Sequence, residues 1–580
     1  MRGPSHHSSR IALALFAIVA APAAPPVDYL VTAGEPGRPG GRLVVAQRAE
    51  PKTLNPATAL DSASREVIHR MMADLVHINR ETQRTESALA SSWVAADGGK
   101  RYLLRLRRGL RFSDGHPFDA GDVVFTFQVY LDEKTGSPQR DLLIVAGKPV
   151  VVSRLDDWTV AFEFAEPYAP AERLFDSIAM LPRHLLEAPY REGRLARAWT
   201  LNTPPAQIAG MGPFRLNEYV PGQRLVLERN PYYWKKDRRG TALPYLEALV
   251  FLFVPGEDGQ VMRFEAGETD VIGRLGARNF AVLERQPRRG YEMRDLGPGL
   301  EYNFLLFNLN DLDGRLPQVG ARQAWFREEN FRRAVSAAID REAVLRLVYQ
   351  GRGTALWGHV TPGNRMWVNR NLASPARSLD RARGLLEAGG FHRGRDGNLL
   401  DRAGRRVKFS IAVASSNPER VQIATIIQDD LRQLGMTVRV APLEFRALSD
   451  RLLTSRDYDA AVLGLGGGDA DPAAEMNVWV SSGTTHLWNL GRPRPATPWE
   501  AEIDDLMKRQ LVTLDYAARK RLYDRVQEIV AERLPLVCVA APHVLIGAKT
   551  ALGNFRPAVL DHQTLWNIEE LYWRERPAVR

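Results

Sequence analysis

Two aspartates in a glycine-rich loop are the residues whose type and setting best suit chemistry with a ligand. The loop GLGGGDADPAAEMNVWVSSGTTHLWN, residues 464–489, follows an apolar run that is typical of a buried strand. Glycines let a ligand approach the backbone because no Cβ intervenes, and ligands of open α/β sheets gather at the carboxyl ends of strands. Asp469 and Asp471 stand at such an end, where a carboxylate can pair with an ammonium group through charge-assisted hydrogen bonds. Asp469 is the first choice for this role, because Pro472 favours the use of Asp471 in the turn.

A structural role for the same two aspartates stays open. Both Asp469 and Asp471 could cap the helix predicted at residues 473–478, since Asp is a preferred N-cap residue. In that case the loop would offer no free carboxylate to a ligand.

Large flat side chains, in this loop and in two earlier segments of the chain, are further candidates for ligand contact. Aromatic groups supply contact area at little conformational cost, which suits a pocket for ligands with varied side chains. We expect Asn303 to offer its amide groups to a peptide backbone, although a role in a turn is an equal alternative. The candidates are Trp488, Trp479 and His486 in the loop, Trp357 in TALWGHVTPGN, and Tyr302 and Asn303 at the start of YNFLLFNLN.

Motifs for catalysis, metals or nucleotides do not emerge from the sequence. GLGGGD resembles a dinucleotide fingerprint, but Asp469 occupies the third glycine position and no acid follows about 20 residues later. The chain has no H-E-x-x-H, no Cys-x-x-Cys and no G-x-S-x-G, and its histidines are scattered. Asp469 and Asp471 lie too close together for a glycosidase pair, whose carboxylates stand on opposite sides of a sugar. We therefore predict no catalytic residues, no cofactor and no metal site.

Composition and charge indicate an exported globular protein. A chain of 580 residues with 45% hydrophobic and 25% charged residues needs two or three lobes rather than one core. Residues 1–23 form a predicted signal peptide with an apolar run, 11–21, that is too short to span a bilayer. The net charge of +10 falls to +8 without this segment. The excess arginines are scattered and no reading element accompanies them, so we predict no nucleic-acid partner.

The single cysteine, Cys538, limits the redox chemistry of the fold. One cysteine cannot form an intrachain disulfide, so the protein needs none in an oxidising compartment. Its setting, PLVCVAAP, predicts a small buried hydrophobic residue. Since no cysteine lies near the predicted cleavage site, we expect a periplasmic protein without a lipid anchor.

The C-terminal half predicts a parallel α/β sheet that would position the loop. VKFSIAVA at 407–414 and TVRVAPLE at 437–444 read as strands on either side of a helix. Asn417-Pro418-Glu419 predicts the start of that helix, and Gly435 predicts its end. A third strand at 457–465 follows another helical segment, and such alternation implies right-handed crossovers in one sheet.

Three motifs in a fixed order carry a resemblance to a known family. They are RTESALASSWVAADGGKRYLLRLRRGLRFSDGHPFDAGDVVFTFQVY at 84–130, GMGPFRLNEYVPGQRLVLERNPYYW at 210–234, and the amphipathic helix REENFRRAVSAAIDREAVLRLVYQGRG at 327–353. In the second motif, two alternating strands flank Pro221-Gly222, which predicts a hairpin. The chain resembles the large extracellular solute-binding proteins, the peptide- and nickel-binding family that serves ABC importers.

The resemblance implies a two-lobed α/β periplasmic-binding-protein (type II) fold with a third domain and a hinge between the lobes. It also implies a lobe–lobe cleft that binds oligopeptides or peptide-like solutes, with Asp469 or Asp471 holding the ligand amine. The expected partners are inner-membrane ABC permease subunits with a separate ATPase, and a monomer is expected. The predicted segments are a signal peptide (1–23), a flexible leader (24–40), lobe I (41–74, 209–299 and 536–580), an additional domain (75–208) and lobe II (300–535).

The glycines before Asp469 and the short interval to Pro472 depart from the pattern of the resembling peptide binders. A nickel chelate, an opine or an oligosaccharide therefore stays open as the ligand. A secreted hydrolase is the alternative from a different class.

Overall fold

A computed structural model describes residues 26–286, 290–312, 314–466 and 470–575. The predicted signal peptide and Asp469 lie outside these described residues. Strands and helices are numbered in chain order within them.

The strands are β1 (Leu30–Val31), β2 (Arg42–Gln47), β3 (Val76–Ile78), β4 (Thr85–Ser87), β5 (Ala90–Ala96), β6 (Arg101–Leu106), β7 (Ile144–Val145), β8 (Lys148–Pro149), β9 (Val151–Asp156), β10 (Thr159–Glu163), β11 (Phe214–Val220), β12 (Arg224–Arg229), β13 (Lys235–Lys236), β14 (Ala248–Phe253), β15 (Val271–Ile272), β16 (Tyr291–Pro298), β17 (Tyr302–Phe307), β18 (Gly353–Ala355), β19 (His392–Arg393), β20 (Leu399–Leu400), β21 (Lys408–Ala414), β22 (Thr437–Leu443), β23 (Ala460–Leu465), β24 (Leu536–Lys549), β25 (Leu552–Gly553) and β26 (Tyr572–Trp573).

The helices are α1 (Ser62–Met71), α2 (Ala120–Leu131), α3 (Ala171–Ser177), α4 (Arg183–Arg191), α5 (Glu257–Glu265), α6 (Ala277–Arg285), α7 (Pro317–Arg327), α8 (Glu329–Ala338), α9 (Arg341–Leu347), α10 (Leu379–Ala388), α11 (Pro418–Gln433), α12 (Phe445–Asp450), α13 (Met476–Trp479), α14 (Pro498–Val512) and α15 (Tyr516–Arg533). None of the helices in the described residues combines the length and the hydrophobicity that a membrane span requires.

The principal sheet consists of two halves that share one long strand. Its order is β11-β12-β14-β2-β15-β24-β17-β23-β21-β22, and β16 and β18 also pair with β24. We call β11-β12-β14-β2-β15 the half-sheet of lobe I and β17-β23-β21-β22 the half-sheet of lobe II. The chain is thus the predicted two-lobed α/β fold.

Two crossing connections join the lobes. In β24, residues 536–540 pair with β17 of lobe II, whereas the later residues 543–549 pair with β16. The predicted segment boundary at residue 536 therefore coincides with the start of a strand that serves both lobes. The second connection runs from β16 into β17 within a single stretch of chain. A pair of crossing strands is a narrow link about which two lobes can rotate.

Three strands of lobe II have the parallel arrangement that the sequence predicts, and β17 adds an antiparallel strand beside β23. Strand β21 pairs in parallel with β22 and with β23. Asn417 caps α11 by accepting a hydrogen bond from the amide of Arg420 at 3.0 Å, and Gly435 follows the helix with a φ of +86°. Two separate clusters of buried residues cover the two faces of the half-sheet. The predicted strand–helix–strand unit and its boundary residues are confirmed.

The amphipathic helix predicted in the third motif, residues 327–353, is divided into two helices in the structure, α8 and α9. Asp340 ends the run because its side chain accepts a hydrogen bond from the Ala343 amide at 2.8 Å and thereby caps α9. Its own amide donates to Asp430 Oδ2 at 2.8 Å, which fixes the break against α11. The amphipathic pattern continues across the break, so periodicity alone could not reveal it.

Between the two parts of lobe I, a four-stranded antiparallel sheet, β5-β6-β10-β9, forms the centre of the additional domain. The segment between β3 and β4 of this domain contacts lobe II directly: Gln83 donates to the Gly363 carbonyl at 2.7 Å and accepts from the Arg365 amide at 2.9 Å. Residues 26–40, predicted as part of a flexible leader, make ordered contacts, and β1 pairs in parallel with β13.

Cys538 lies inside lobe II with 1% of its surface exposed. Burial raises the pKa of its thiol to about 12. The prediction of a small buried hydrophobic residue is confirmed.

Candidate functional site

The glycine-rich loop leaves the half-sheet of lobe II at the carboxyl end of β23, as predicted. Strand β23 lies between β17 and β21 in the half-sheet. Asp469 lies outside the described residues, and the description resumes at Ala470. A 3₁₀ turn, Pro472–Glu475, and helix α13 follow.

Asp471 is buried and already bound within the protein. Arg519 on α15 donates to both of its carboxylate oxygens, at 2.6 and 2.8 Å. The Asp471 Oδ1 atom also accepts a hydrogen bond from the Ala473 amide at 2.9 Å, so the side chain caps the turn that follows. A bidentate arginine–carboxylate pair is a strong interaction when water is excluded. Asp471 thus has the structural role that the sequence left open.

The aromatic residues of the loop form a buried support beneath it. Trp479 and Trp488 are each 1% exposed, and their indole N–H groups donate to Glu475 at 2.8 Å and to Glu500 at 3.0 Å. The His486 ring lies 3.9 Å from the Trp488 ring. These side chains pack in the core of lobe II and present almost no surface to a ligand in this conformation.

Asn303 and Trp357 are also engaged by neighbouring side chains. The Asn303 Nδ2 atom donates to the Tyr349 hydroxyl at 3.1 Å, and its Oδ1 atom accepts from Arg420 Nε at 2.8 Å. The Arg341 guanidinium lies 5.2 Å from the centre of the half-buried Trp357 ring. The amide of Asn303 therefore orients Arg420 at the start of α11.

A small polar cavity lies beside Asp471 and brings together residues from distant parts of lobe II. Its volume is about 20 Å³. The lining includes His359, Thr361, Asn364, Asp471, Glu475 and Tyr523. Nearby, the His359 Nδ1 atom and the Tyr302 hydroxyl are buried without a hydrogen-bond partner in the described chain. Sequence analysis identified Tyr302 and Asp471 but missed His359, although it lies two residues after Trp357.

Burial sets the protonation of this cavity. It lowers the pKa of His359 to about 3, so the imidazole is neutral at neutral pH. Burial also raises the pKa of Glu475 above its ordinary value. Low-dielectric surroundings disfavour the charged form of each group.

A larger cavity of about 190 Å³ opens in lobe I, at the carboxyl ends of the parallel strands β14, β2 and β15. Its walls come from three distant parts of the chain: residues 45–66, 251–274 and 562–565. Sequence analysis did not find this cavity, because no local motif marks residues that meet only after folding.

The charged groups of the lobe I cavity are arranged around Glu66. His562 Nδ1 lies 2.7 Å from Glu66 Oε2, and Arg70 donates to Glu66 Oε1 at 3.0 Å. Burial alone would raise the pKa of Glu66, but His562, Arg70 and Arg274 together hold it below its ordinary value. The Glu66 carboxylate is therefore charged and compensated inside the protein.

The two lobes meet beside this cavity. A Cβ on Gly276, just after β15, would lie 3.8 Å from Oε1 of Glu419 at the start of α11. Burial first, and then the charges of Glu301 and Glu257, raise the pKa of Glu419. The carboxyl ends of parallel strands in both lobes thus face a common cleft. The described residues contain no cluster of His, Cys, Asp and Glu side chains suited to a metal ion.

A family model described as "Bacterial extracellular solute-binding proteins, family 5 Middle" matches residues 84–486. The chain belongs to this family. The match covers the additional domain and most of lobe II, including the loop with Asp471 and the contact residue Glu419. Members of this family bind solutes outside the cytoplasm, and the cleft described above is the feature of this chain suited to that role.

Individual relatives of known name are similar to this chain over most of its length. The chain is 26% identical over 559 residues to a "Probable ABC transporter-binding protein" of Deinococcus radiodurans, with 92% of each chain covered. It is 24% identical to the "Oligopeptide-binding protein AppA" of Bacillus subtilis, with 93% of each covered. The solved structure of that Bacillus protein with a nonapeptide superposes with a TM-score of 0.69 at 23% identity, over 93% of this chain and 100% of the other.

Proposed function

We propose that this protein is a periplasmic receptor that captures oligopeptides or peptide-like solutes between its lobes and delivers them to an inner-membrane ABC permease. The crossing strand β24 carries the proposal, because it links two half-sheets whose carboxyl ends face one cleft. Lobes joined in this way can close around a guest and open again, and the guest stabilises the closed state. Similarity to a Bacillus protein named for oligopeptide binding supports a peptide as the guest.

The receptor releases its ligand unchanged. The sequence lacks the catalytic motifs named above, and the buried carboxylates Asp471 and Glu66 are each held by basic residues of the protein. We also propose that the predicted signal peptide, residues 1–23, directs export and that the exported protein is a monomer. An intact-mass measurement on protein isolated from the periplasm tests the cleavage after Ala23.

Asp469 is the proposed acceptor for the ligand amine. Its neighbour Asp471 is bound at both oxygens by Arg519, which leaves Asp469 as the better candidate of the two. We expect Asp469→Ala to weaken binding of free-amine peptides by about 2–5 kcal/mol, because the pair would be desolvated in the closed cleft. N-acetylated peptides lack the ammonium group, so their affinity should be the same for the parent and the variant.

Isothermal titration calorimetry with a mixed set of tri- to pentapeptides measures both effects. Asp505→Ala is the matched control, since Asp505 is 62% exposed on α14 and pairs with Arg509. Equal affinity of Asp469→Ala and the parent for free-amine peptides would remove Asp469 from the site. Absence of saturable binding by any peptide, or turnover of a bound peptide, would overturn the proposed function.

A further inference from the structure

Arg274 lies at the edge of the lobe I cavity, in an unusual backbone conformation. It lies two residues after the end of β15 and has a φ of +55°, in the left-handed region. A residue with a Cβ is conformationally disfavoured there. Such strain is found at positions where the side chain has a function. Arg274 is exposed and lines the cavity together with Arg48.

The charge of Arg274 is not balanced by a bonded acid. Within the described chain, no carboxylate is hydrogen-bonded or ion-paired to its guanidinium, although its charge helps to lower the pKa of Glu66. Glu66 itself is engaged by His562 and Arg70. The other nearby acid, Glu257, accepts hydrogen bonds from the Gly276 amide at 2.8 Å and from Asn279 at 3.0 Å.

Arg48, the residue after β2, contacts the backbone of Arg274. Its guanidinium donates to the Arg274 carbonyl at 3.0 Å and lies 3.6 Å from Glu257. Two arginines therefore stand side by side where the lobe I cavity approaches lobe II. The planar guanidinium matches a carboxylate with two parallel hydrogen bonds.

The remaining wall of the cavity suits an apolar group. Val45, Phe251, Val271 and Leu565 line it and give the cavity an apolar side beside its charged groups. A ligand that carries a carboxylate next to an apolar side chain would satisfy both parts of the site.

We propose that Arg274, assisted by Arg48, binds the C-terminal carboxylate of a peptide in the lobe I cavity, with the last side chain against the apolar wall. The receptor is then selective for peptides with a free, apolar C-terminal residue. This inference rests on the proposed function and adds a specificity-determining residue to it.

The test compares the tripeptide Ala-Ala-Phe with its C-terminal amide by calorimetry. The parent protein should bind the free acid about 10- to 100-fold more tightly than the amide, the effect of a charged hydrogen-bonded pair. Arg274→Gly should remove this preference by weakening the acid alone. Its thermal midpoint should stay the same or rise, because glycine accepts a positive φ.

Two variants control for charge and for backbone. Arg278→Gln removes a 75% exposed arginine on α6 of the same lobe. Gln350→Gly places a glycine at an exposed position of lobe II with a φ of +51°. Both should retain the preference for the acid. A parent that binds both peptides equally well, or an Arg274→Gly variant that keeps the preference for the acid, overturns the inference and leaves peptide binding intact.

A second pair of probes separates this inference from the proposed function. 3-Phenylpropionate and 3-phenylpropionamide carry the same apolar group with and without the charge, and neither is a peptide. Binding of the acid that depends on Arg274 supports the carboxylate site even when no peptide binds. Absence of any Arg274-dependent binding in both probe pairs overturns it.

Discussion

Asp471 and Arg519 show how a single buried pair can support a binding loop without touching the ligand. The Asp471 and Arg519 side chains are 6% and 7% exposed. Arg519 also donates to the carbonyl of Gln510 at 2.9 Å, so it ties the loop to α14 and α15. A buried charge whose partner is removed is far more costly than the intact pair is favourable.

We expect Asp471→Asn to destabilise lobe II by about 3–5 kcal/mol, because it leaves the Arg519 charge buried without its counter-ion. The double variant Asp471→Asn/Arg519→Met should recover most of that loss. Thermal unfolding of the four proteins of this double-mutant cycle provides the measurement. Asp505→Asn, in an exposed pair, should change stability by less than about 0.5 kcal/mol. Additive effects of the two substitutions would contradict this account.

The sequence predicts the type of residue in the loop but not its engagement. It allows Asp471 to serve either a ligand or the turn, and the choice depends on Arg519, which lies 48 residues away. Trp479, His486 and Trp488 have the composition of a ligand pocket, yet they pack inside lobe II. Whether an aromatic residue faces a cleft or a core depends on the packing of other elements, which local sequence does not encode.

At the scale of elements, the two glycines of GMGPF show why a short motif can identify a fold. A Cβ on Gly212 would lie 2.6 Å from the Arg70 carbonyl oxygen and 2.5 Å from the Met71 carbonyl carbon. The Gly212 amide donates to the Met71 carbonyl at 2.8 Å. The motif therefore joins the end of α1 to the start of β11 at a distance that only glycine permits.

Gly212→Ala should destabilise the protein by about 3 kcal/mol or more, because backbone atoms of α1 cannot move aside as a flexible side chain can. Gly222→Ala, in the hairpin between β11 and β12, is the matched comparison. Gly222 has a φ of +71° and open space where a Cβ would lie, so the expected loss is the backbone cost of about 1–2 kcal/mol. Thermal midpoints of the two variants measure the difference, and a reversed order would refute the packing argument.

Element boundaries follow the sequence where a local signal exists. The Asn417 cap, the Pro221-Gly222 turn and the β21–α11–β22 unit are predicted and are confirmed. The break between α8 and α9 is missed, because Asp340 adopts its capping conformation against Asp430 of another helix. Local propensity competes with tertiary contacts, and at this position the tertiary contact determines the boundary.

At the scale of the whole molecule, the contact between the lobes carries an electrostatic cost. Glu419 of lobe II meets Gly276 of lobe I, near Glu257 and Glu301. The raised pKa of Glu419 means that this carboxyl group binds a proton more tightly when the lobes are in contact than it would in solvent. Lowering the pH through that raised pKa, above the ordinary value of 4.5, therefore favours closure.

We expect Glu419→Gln to tighten ligand binding at neutral pH by about three- to tenfold, since closure would no longer bury a carboxylate and bring it towards Glu257 of lobe I. The variant should also lose the increase in affinity that the parent shows as the pH falls towards 5. Calorimetry at several pH values and small-angle scattering with and without peptide measure affinity and closure. Glu387→Gln, on the exposed surface of α10, should behave as the parent. An unchanged pH profile for Glu419→Gln would assign the effect to another group.

The sequence by itself determined the family, the parallel strands β21, β22 and β23 of lobe II, the hairpin of lobe I and the position of the loop with Asp471. Each of these follows from local signals: a cap, a turn, an alternation of strands, or three motifs in a fixed order. Tertiary structure alone decided that β24 pairs with strands of both lobes, that Arg519 binds the carboxylate of Asp471, and that Arg48 and Arg274 line one cavity with Glu66. These features depend on contacts between residues far apart in the chain. Such contacts form only when the elements pack together, so the neighbours of each residue in sequence do not predict them.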